Sequence, residues 1–454
     1  MTDHTNNTVA LDLAAGLDRA LAWEQGGSVR YLVADLAARG GQDGPGREPP
    51  PLNLALAVDV SGSMAGEKLD AARRTAAAVA EALGPRDRLS LVAFDSTAEL
   101  LLAARPMDEA GRRAAAAAIG RLVERGGTNL FEGWLRAAEQ VAAAMEADAK
   151  ASHRLVLLSD GQANEGVTER SELARRAGGL AARGVVTSAV GIGDGYDEQL
   201  LGAMAEAGGG RLHDAAEAPE IGEVVLGELR EGRRALLERA TLRLSVPANL
   251  RAEVVGAWAH AALPGAVEVL AGALLPDRPK RVVFRLHCPA GEPGTALLLG
   301  VSAAGALPDG AGAVEARPAE AELRLARGRE NTAQPRDLGR SLAAIQAWQA
   351  EALRRAVRLN REGDRRGAVH FLGREARWME RYARGVPGAE PLLAELVLVL
   401  RRAGEAWDER TRKAVYAASA QRSRNEADLR EAPQPTIAER FGGGTRTGGG
   451  RPRP

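Results

Sequence analysis

The chain has 454 residues, enough for about two to four domains, and its 45% hydrophobic and 26% charged residues are an ordinary globular balance that can bury a core. Sixty basic and sixty acidic residues cancel, which excludes a global field directed at nucleic acid or at a membrane surface. One cysteine, Cys288, excludes an internal disulfide framework and cannot build a thiolate metal site alone; it reads as a small buried apolar residue.

The opening stretch, MTDHTNNTVALDLAAG, lacks a basic segment followed by an apolar core, so no secretory signal is expected and the cytoplasm is the default. The glycosylation triplet Asn6-Asn7-Thr8 is then a chance match. Residues 8–37 hold two strand-like runs, VALDLAA and VRYLVADLAA, and the Gly/Pro-rich RGGQDGPGREPPP that follows breaks regular structure. LNLALAVDV is almost continuously apolar, as a buried parallel strand requires. EKLDAARRTAAAVAEALG has helical spacing, with Leu69, Ala72, Ala76, Val79, Ala80 and Leu83 on one face. The alternation continues: strand RLSLVAF, helices EAGRRAAAAAIGRLV and LFEGWLRAAEQVAAAMEAD, strand HRLVLLSD, helix ERSELARRAGGLAARG, strand VVTSAVGIG and helix DEQLLGAMAEAGG. Strands alternating with helices of this length imply a doubly wound, mostly parallel α/β sheet covered on both faces.

From Ala240 to about Arg327 the period becomes two. ATLRLSV, RAEVVGAW, AVEVLAGAL, KRVVFRLHCP, TALLLGVSA and AEAELRLA are separated by Pro/Gly turns, the pattern of a β-sandwich. The two N-terminal runs cannot form a stable unit alone, so they are expected to join this sandwich, with the α/β unit inserted between its parts. Beyond residue 336 helical spacing returns at Leu342, Ile345, Trp348, Ala352, Ala356 and Leu359, and a three-helix bundle or hairpin array is expected. PLLAELVLVL, the best apolar run, is too short to span a bilayer. The expected organisation is therefore 1–50 (strands and linker), 51–232 (α/β unit), 233–330 (sandwich), 336–430 (helical region) and 431–454 (a disordered Gly/Arg/Pro-rich tail).

Ligands gather at the C-terminal ends of the strands in an open parallel sheet. DVSGSM places Asp59, Ser61 and Ser63 after the first strand, RGGTNL places Thr128 on a Gly-rich loop before a helix, and VLLSDGQANEG places Asp160 where another central strand ends. Three distant segments thus deliver two carboxylates and three hydroxyls to one sheet edge. Oxygen-only donors suit a hard cation, and two carboxylates balance a divalent one: Mg²⁺ is the natural fit, with Mn²⁺ or Ca²⁺ as the other choices. The bland reading of Asp59 and Ser61 is a helix cap, with Ser63 ending a loop.

DVSGSM, GGTNL and LSDGQANEG together resemble the metal-ion-dependent adhesion site (MIDAS) of the von Willebrand factor type A (VWA) domain family, over about residues 50–230. The flanking arrangement is similar to bacterial multi-domain members. The resemblance implies that Ser61 and Ser63 contact the metal through their hydroxyls, Thr128 in the ligand-bound state, and Asp59 and Asp160 directly or through water. It implies a Rossmann-like fold and a non-enzymatic, Mg²⁺-dependent scaffold whose metal takes an Asp or Glu from a partner protein, with an AAA+ ATPase as one partner class. No membrane or nucleic-acid partner is expected. The alternative is a regulatory or sensor subunit whose metal site is closed by a carboxylate of its own chain.

Other chemistries have weaker signals. SGSMAG has glycines at 62 and 66, one place off a nucleophile elbow, and His153 and His213 have no clear acidic partner in the sequence. GIGDGY lacks the third glycine of a dinucleotide fingerprint and reads as a strand-end turn. Trp134, Trp348, Trp378 and Trp407 read as packing residues, although Trp134 follows the Thr128 loop closely enough to edge the metal face. The tail arginines Arg440, Arg446, Arg451 and Arg453 read as part of a plain flexible end.

Overall fold

The computed structural model describes residues 9–40, 50–148, 150–161, 163–215, 217, 219–308, 310, 312–424 and 436–441. The linker residues 41–49, the triplet at 6–8 and the tail arginines Arg446, Arg451 and Arg453 lie outside them. Three strands come first: β1 (Ala10–Leu17), β2 (Leu21–Trp23) and β3 (Val29–Arg39). An α/β unit follows, beginning with β4 (Leu52–Asp59), α1 (Glu67–Ala82), β5 (Arg88–Phe94), β6 (Ala98–Pro106), α2 (Glu109–Ile119) and α3 (Leu130–Ala147). It continues through β7 (Ser152–Ser159), α4 (Arg170–Ala182), β8 (Val185–Ile192), α5 (Glu198–Ala207), β9 (Gly209–Ala215) and α6 (Glu220–Arg233).

The sheet order is β6-β5-β4-β7-β8-β9, parallel except for β6, which pairs antiparallel with β5 at one edge. β4 and β7 are buried along their whole length. Leu54, Leu56 and Val58 face the core under α1, α2 and α6, while Ala55 and Ala57 face the core under α3, α4 and α5. That is why β4 reads as a continuous apolar run: both of its faces are covered. From β4 the chain winds toward β5 on one side, whereas β7 lies on its other side and winds toward β8. The winding direction therefore reverses between β4 and β7, opening a crevice at their C-terminal ends.

Eight more strands follow: β10 (Leu237–Ser245), β11 (Arg251–Val255), β12 (His260–Leu263), β13 (Ala266–Leu274), β14 (Lys280–His287), β15 (Ala296–Ala306), β16 (Ala313–Glu315) and β17 (Ala319–Ala326). They form two sheets with the N-terminal strands, β1-β3-β14-β11 and β12-β13-β10-β15-β17-β2, with β16 alongside β15. Leu32, Leu36 and Phe284 of the first sheet share one core with Leu242, Val269 and Leu299 of the second. The other face of the first sheet, Tyr31, Val33 and Val283, packs against Ile345, Trp348 and Leu353. These belong to α8, one of six C-terminal helices: α7 (Gly328–Ala333), α8 (Leu338–Arg361), α9 (Arg365–Ala383), α10 (Glu390–Arg402), α11 (Glu409–Arg424) and α12 (Ile437–Phe441). No helix among the described residues is long and apolar enough to cross a membrane.

Several elements differ from the sequence reading. β6, β9 and α6 are not singled out by it. β6 turns back on β5 after residues 95–97 and pairs with it through register shifts, and β9 buries only part of its length, so neither shows a clean period. The C-terminal region has four long helices rather than three, because the run from Pro391 to Ser423 breaks between Arg402 and Glu409, where Asp408 Oδ1 accepts from the Thr411 N–H at 2.7 Å and caps α11. The expected disordered tail contains α12: Ile437 and Phe441 are buried, and Phe441 meets Trp407 edge-on at 5.3 Å.

Candidate metal centre

β4 ends at Asp59, and Val60 prolongs the pairing with β5 by donating its N–H to the Phe94 carbonyl at 2.9 Å. The chain then enters a single 3₁₀ turn, Gly62–Met64, held down by fully buried Val60 and Met64. Asp59 is fully buried. Its Oδ1 accepts the Ser61 N–H at 2.9 Å and its Oδ2 accepts the Ser159 hydroxyl, at the end of β7, at 2.6 Å. Ser61 Oγ lies 3.2 Å from Ser63 Oγ, and Ser63 Oγ donates to Asp160 Oδ1 at 2.7 Å.

The Thr128 loop reaches the same place by backbone anchoring. Arg125 N–H donates to the Val60 carbonyl at 2.7 Å, Gly62 N–H to the Gly126 carbonyl at 3.2 Å, and Asn129 N–H to the Asp95 carbonyl at 2.6 Å. Asn129 also caps α3 through the Glu132 N–H, and the Thr128 N–H donates to Asn164 Oδ1 at 3.0 Å. Gly127 lets the Glu165 and Ser96 side chains close over the loop: a Cβ there would lie 2.3 Å from Glu165 Oε1 and 2.9 Å from Ser96 Oγ, so those side chains would have to move aside.

The structure brings all five sequence-derived residues together. A Cβ on Gly161, the neighbour of Asp160, would sit 3.5 Å from Thr128 Oγ1 and 3.8 Å from both Asp59 Oδ2 and Ser63 Oγ, so the third segment runs within contact distance of oxygens from the other two. Asp59, Ser61, Thr128 and Asp160 are buried, whereas Ser63 is exposed, which opens the cluster to solvent on that side. Burial pushes the Asp59 carboxyl above its usual range; hydrogen bonds from Ser159 and Ser61 oppose the shift, and the neighbouring Asp160 adds to it. Two carboxylates and three hydroxyls gathered at this edge, with Ser61 and Asp160 joined to the group through Ser63 Oγ, have the donor chemistry that suits a hard divalent cation.

Three participants escape the sequence reading. Ser159 immediately precedes Asp160, Asn164 follows it by four residues, and Lys68 sits in the first turn of α1 with its ammonium on Asp160 Oδ2. The first two are legible only as part of the polar run SDGQANEG. Lys68 looks like any exposed helix lysine.

The remaining candidates resolve into the fold. Trp134 is buried and donates to Thr187 Oγ1 at 3.3 Å beneath α3, away from the metal edge. Trp348 and Trp407 pack in the helical core, but Trp378 is 56% exposed and is no core residue, because its position on α9 faces solvent. His153 lies within β7 and contacts Asn53 Nδ2 at 3.0 Å. His213, on β9, does have an acidic partner, Glu228 Oε2 at 3.0 Å, which only the packing of α6 supplies. Burial pushes the Cys288 thiol up to about 11, consistent with an inert core residue.

Residues 53–225 match the family model of the von Willebrand factor type A domain. An uncharacterised protein of Synechocystis sp. is 35% identical over 163 residues, 36% of this chain and 37% of that protein, so the chain spans little over a third of this relative's length. Among solved structures, a von Willebrand factor type A protein from Catenulispora acidiphila superposes with a TM-score of 0.65 at 19% identity, over 86% of this chain and 90% of its own. VWA2, the ArnB paralog from Sulfolobus acidocaldarius, superposes at 0.55 and 17% identity, over 92% of this chain and 98% of its own. These likenesses show the fold.

Proposed function

We propose, from the premise that this chain carries a von Willebrand factor type A domain, that it is a non-enzymatic, metal-dependent protein-interaction scaffold. Asp59, Ser61, Ser63, Thr128 and Asp160 would hold a divalent cation, Mg²⁺ by donor chemistry. The observation that carries this is their convergence at the reversal between β4 and β7, with Ser63 open to solvent. A bound cation would supply a Lewis-acidic position for an outside Asp or Glu. The chain's own residues do the rest: Ser159 and the Ser61 amide fix the Asp59 carboxylate, and Asn164 fixes the Thr128 loop. Specificity would come from the surrounding surface.

The proposal extends to a bacterial, cytoplasmic setting and to an α/β domain framed by a sandwich and a helical region. An AAA+ ATPase is the partner class that capture experiments would test first. The direct test is Mn²⁺ binding by electron paramagnetic resonance, with thermal melts in MgCl₂ and in EDTA. Wild type should bind one ion and melt higher with metal, as any ligand selective for the folded state ensures. Asp59→Ala and Asp160→Ala should lose both effects and lose metal-dependent partner capture. Normal Mn²⁺ binding by Asp59→Ala would remove the metal centre from this account.

A further inference from the structure

Lys68 is placed more specifically than a surface lysine. It stands in the first turn of α1, yet its ammonium turns back into the cluster, pairing with Asp160 Oδ2 and donating to the Ser63 carbonyl at 3.2 Å. The Asp160 side chain is fully buried, so this pair is screened far less than an exposed one, although the lysine itself is a third exposed. The lysine's end passes beside Gly193 of the β8–α5 loop, where a Cβ would lie 3.4 Å from Lys68 Cε and 3.7 Å from Nζ, ordinary packing distance. One carboxylate of the cluster therefore already has a cation of the chain's own.

We infer that Lys68 is a resident competitor for the metal position, holding Asp160 until a divalent cation displaces it. The inference rests on the metal-centre reading above and adds its regulation. Two carboxylates balance a divalent ion alone, but with Lys68 in place the loaded cluster carries one excess positive charge. Metal entry must then break the Lys68–Asp160 pair and tolerate an ammonium a few ångströms away. Both costs lower the affinity of the free protein for metal. The site would load only above a threshold of free ion set by Lys68, or when an acid from outside compensates the excess charge.

The test uses the full chain and Mn²⁺ as probe, with binding followed by electron paramagnetic resonance and by calorimetry with MgCl₂. Lys68→Met should bind either ion about fivefold more tightly than wild type, the scale of one partly exposed charge interaction. Lys68→Gln, which keeps a donor for the Ser63 carbonyl, should gain similarly, and Lys68→Arg, which keeps the charge, should not. Equal affinity in wild type, Lys68→Met and Lys68→Gln, or weaker binding in either variant, overturns the competitor role while leaving the metal centre standing. Absence of binding by wild type and both neutral variants overturns the metal centre and this inference with it.

Discussion

Lys413 shows how one buried residue ties two parts of the chain together. It belongs to α11, is only 3% exposed, donates to the Gly193 carbonyl at 2.7 Å and sits 3.7 Å from the Tyr196 ring centre. Loss of hydration lowers its ammonium to about 8 from an ordinary 10.5, with Asp214 and Asp194 opposing the shift. Below pH 8 both folded and unfolded chains hold the proton. Between about 8 and 10.5 the unfolded chain holds one that the folded chain has shed, so this residue's contribution to stability rises with pH across that window. The unfolding free energy of wild type minus that of Lys413→Met should therefore increase from pH 7.5 to pH 10, by on the order of 1–3 kcal/mol. Urea titrations at the two pH values measure it, and a difference that stays flat contradicts the assignment.

At the scale of an element, α5 is the seam between the α/β unit and the helical region. Asp197 caps it through the Gln199 and Leu200 amides at 2.9 and 3.1 Å. The next residue, Glu198, has a fully buried side chain that takes Arg361 Nε of α8 at 3.1 Å. At the far end of α5, Glu206 accepts from Arg354 at 2.6 Å and from the Tyr416 hydroxyl at 3.1 Å. Burial pushes Glu198 above the usual carboxylate range and Arg361 pulls it back, so removing the arginine strands a buried acid. Arg361→Ala should lose about 3 kcal/mol of stability, and adding Glu198→Gln should recover part of that loss because neither charge then remains. Denaturant midpoints for the single and double variants decide it; a loss near 0.5 kcal/mol or less, about that of an exposed pair, would mean the seam lies elsewhere.

For the whole molecule, the four-stranded sheet is the structural middle, with one core on each face. Tyr31, Val33, Val255 and Val283 are almost fully buried, and α8 supplies their cover. The α/β unit is joined to the strands by charge: Arg278, in the β13–β14 turn, pairs with Glu231 of α6, and Ser152 Oγ donates to Glu238 of β10 at 2.7 Å. A chain ending at Arg327 should therefore expose the outer sheet face and associate or bind an apolar dye. Gel filtration and dye fluorescence test this, and a compact monomer that leaves the dye dark would show that the helical region is not structurally required.

Local pattern alone determined the alternation of strands and helices, the face of α1 carrying Leu69, Ala72, Ala76, Val79 and Ala80, and the positions of Asp59, Ser61, Ser63, Thr128 and Asp160 at strand and loop ends. These are properties of neighbours in the chain: hydrophobic period, capping residues, turn glycines and a polar run after an apolar one. What required tertiary structure was everything set by partners far away in sequence. β6 and β9 have weak periods and exist because sheet edges needed pairing. His213 acquires Glu228 only when α6 docks, and Lys68 becomes part of the cluster only because the fold sets the first turn of α1 beside the end of β7. A side chain's type is written locally, but its electrostatic role depends on which distant atoms the fold brings to within a few ångströms of it.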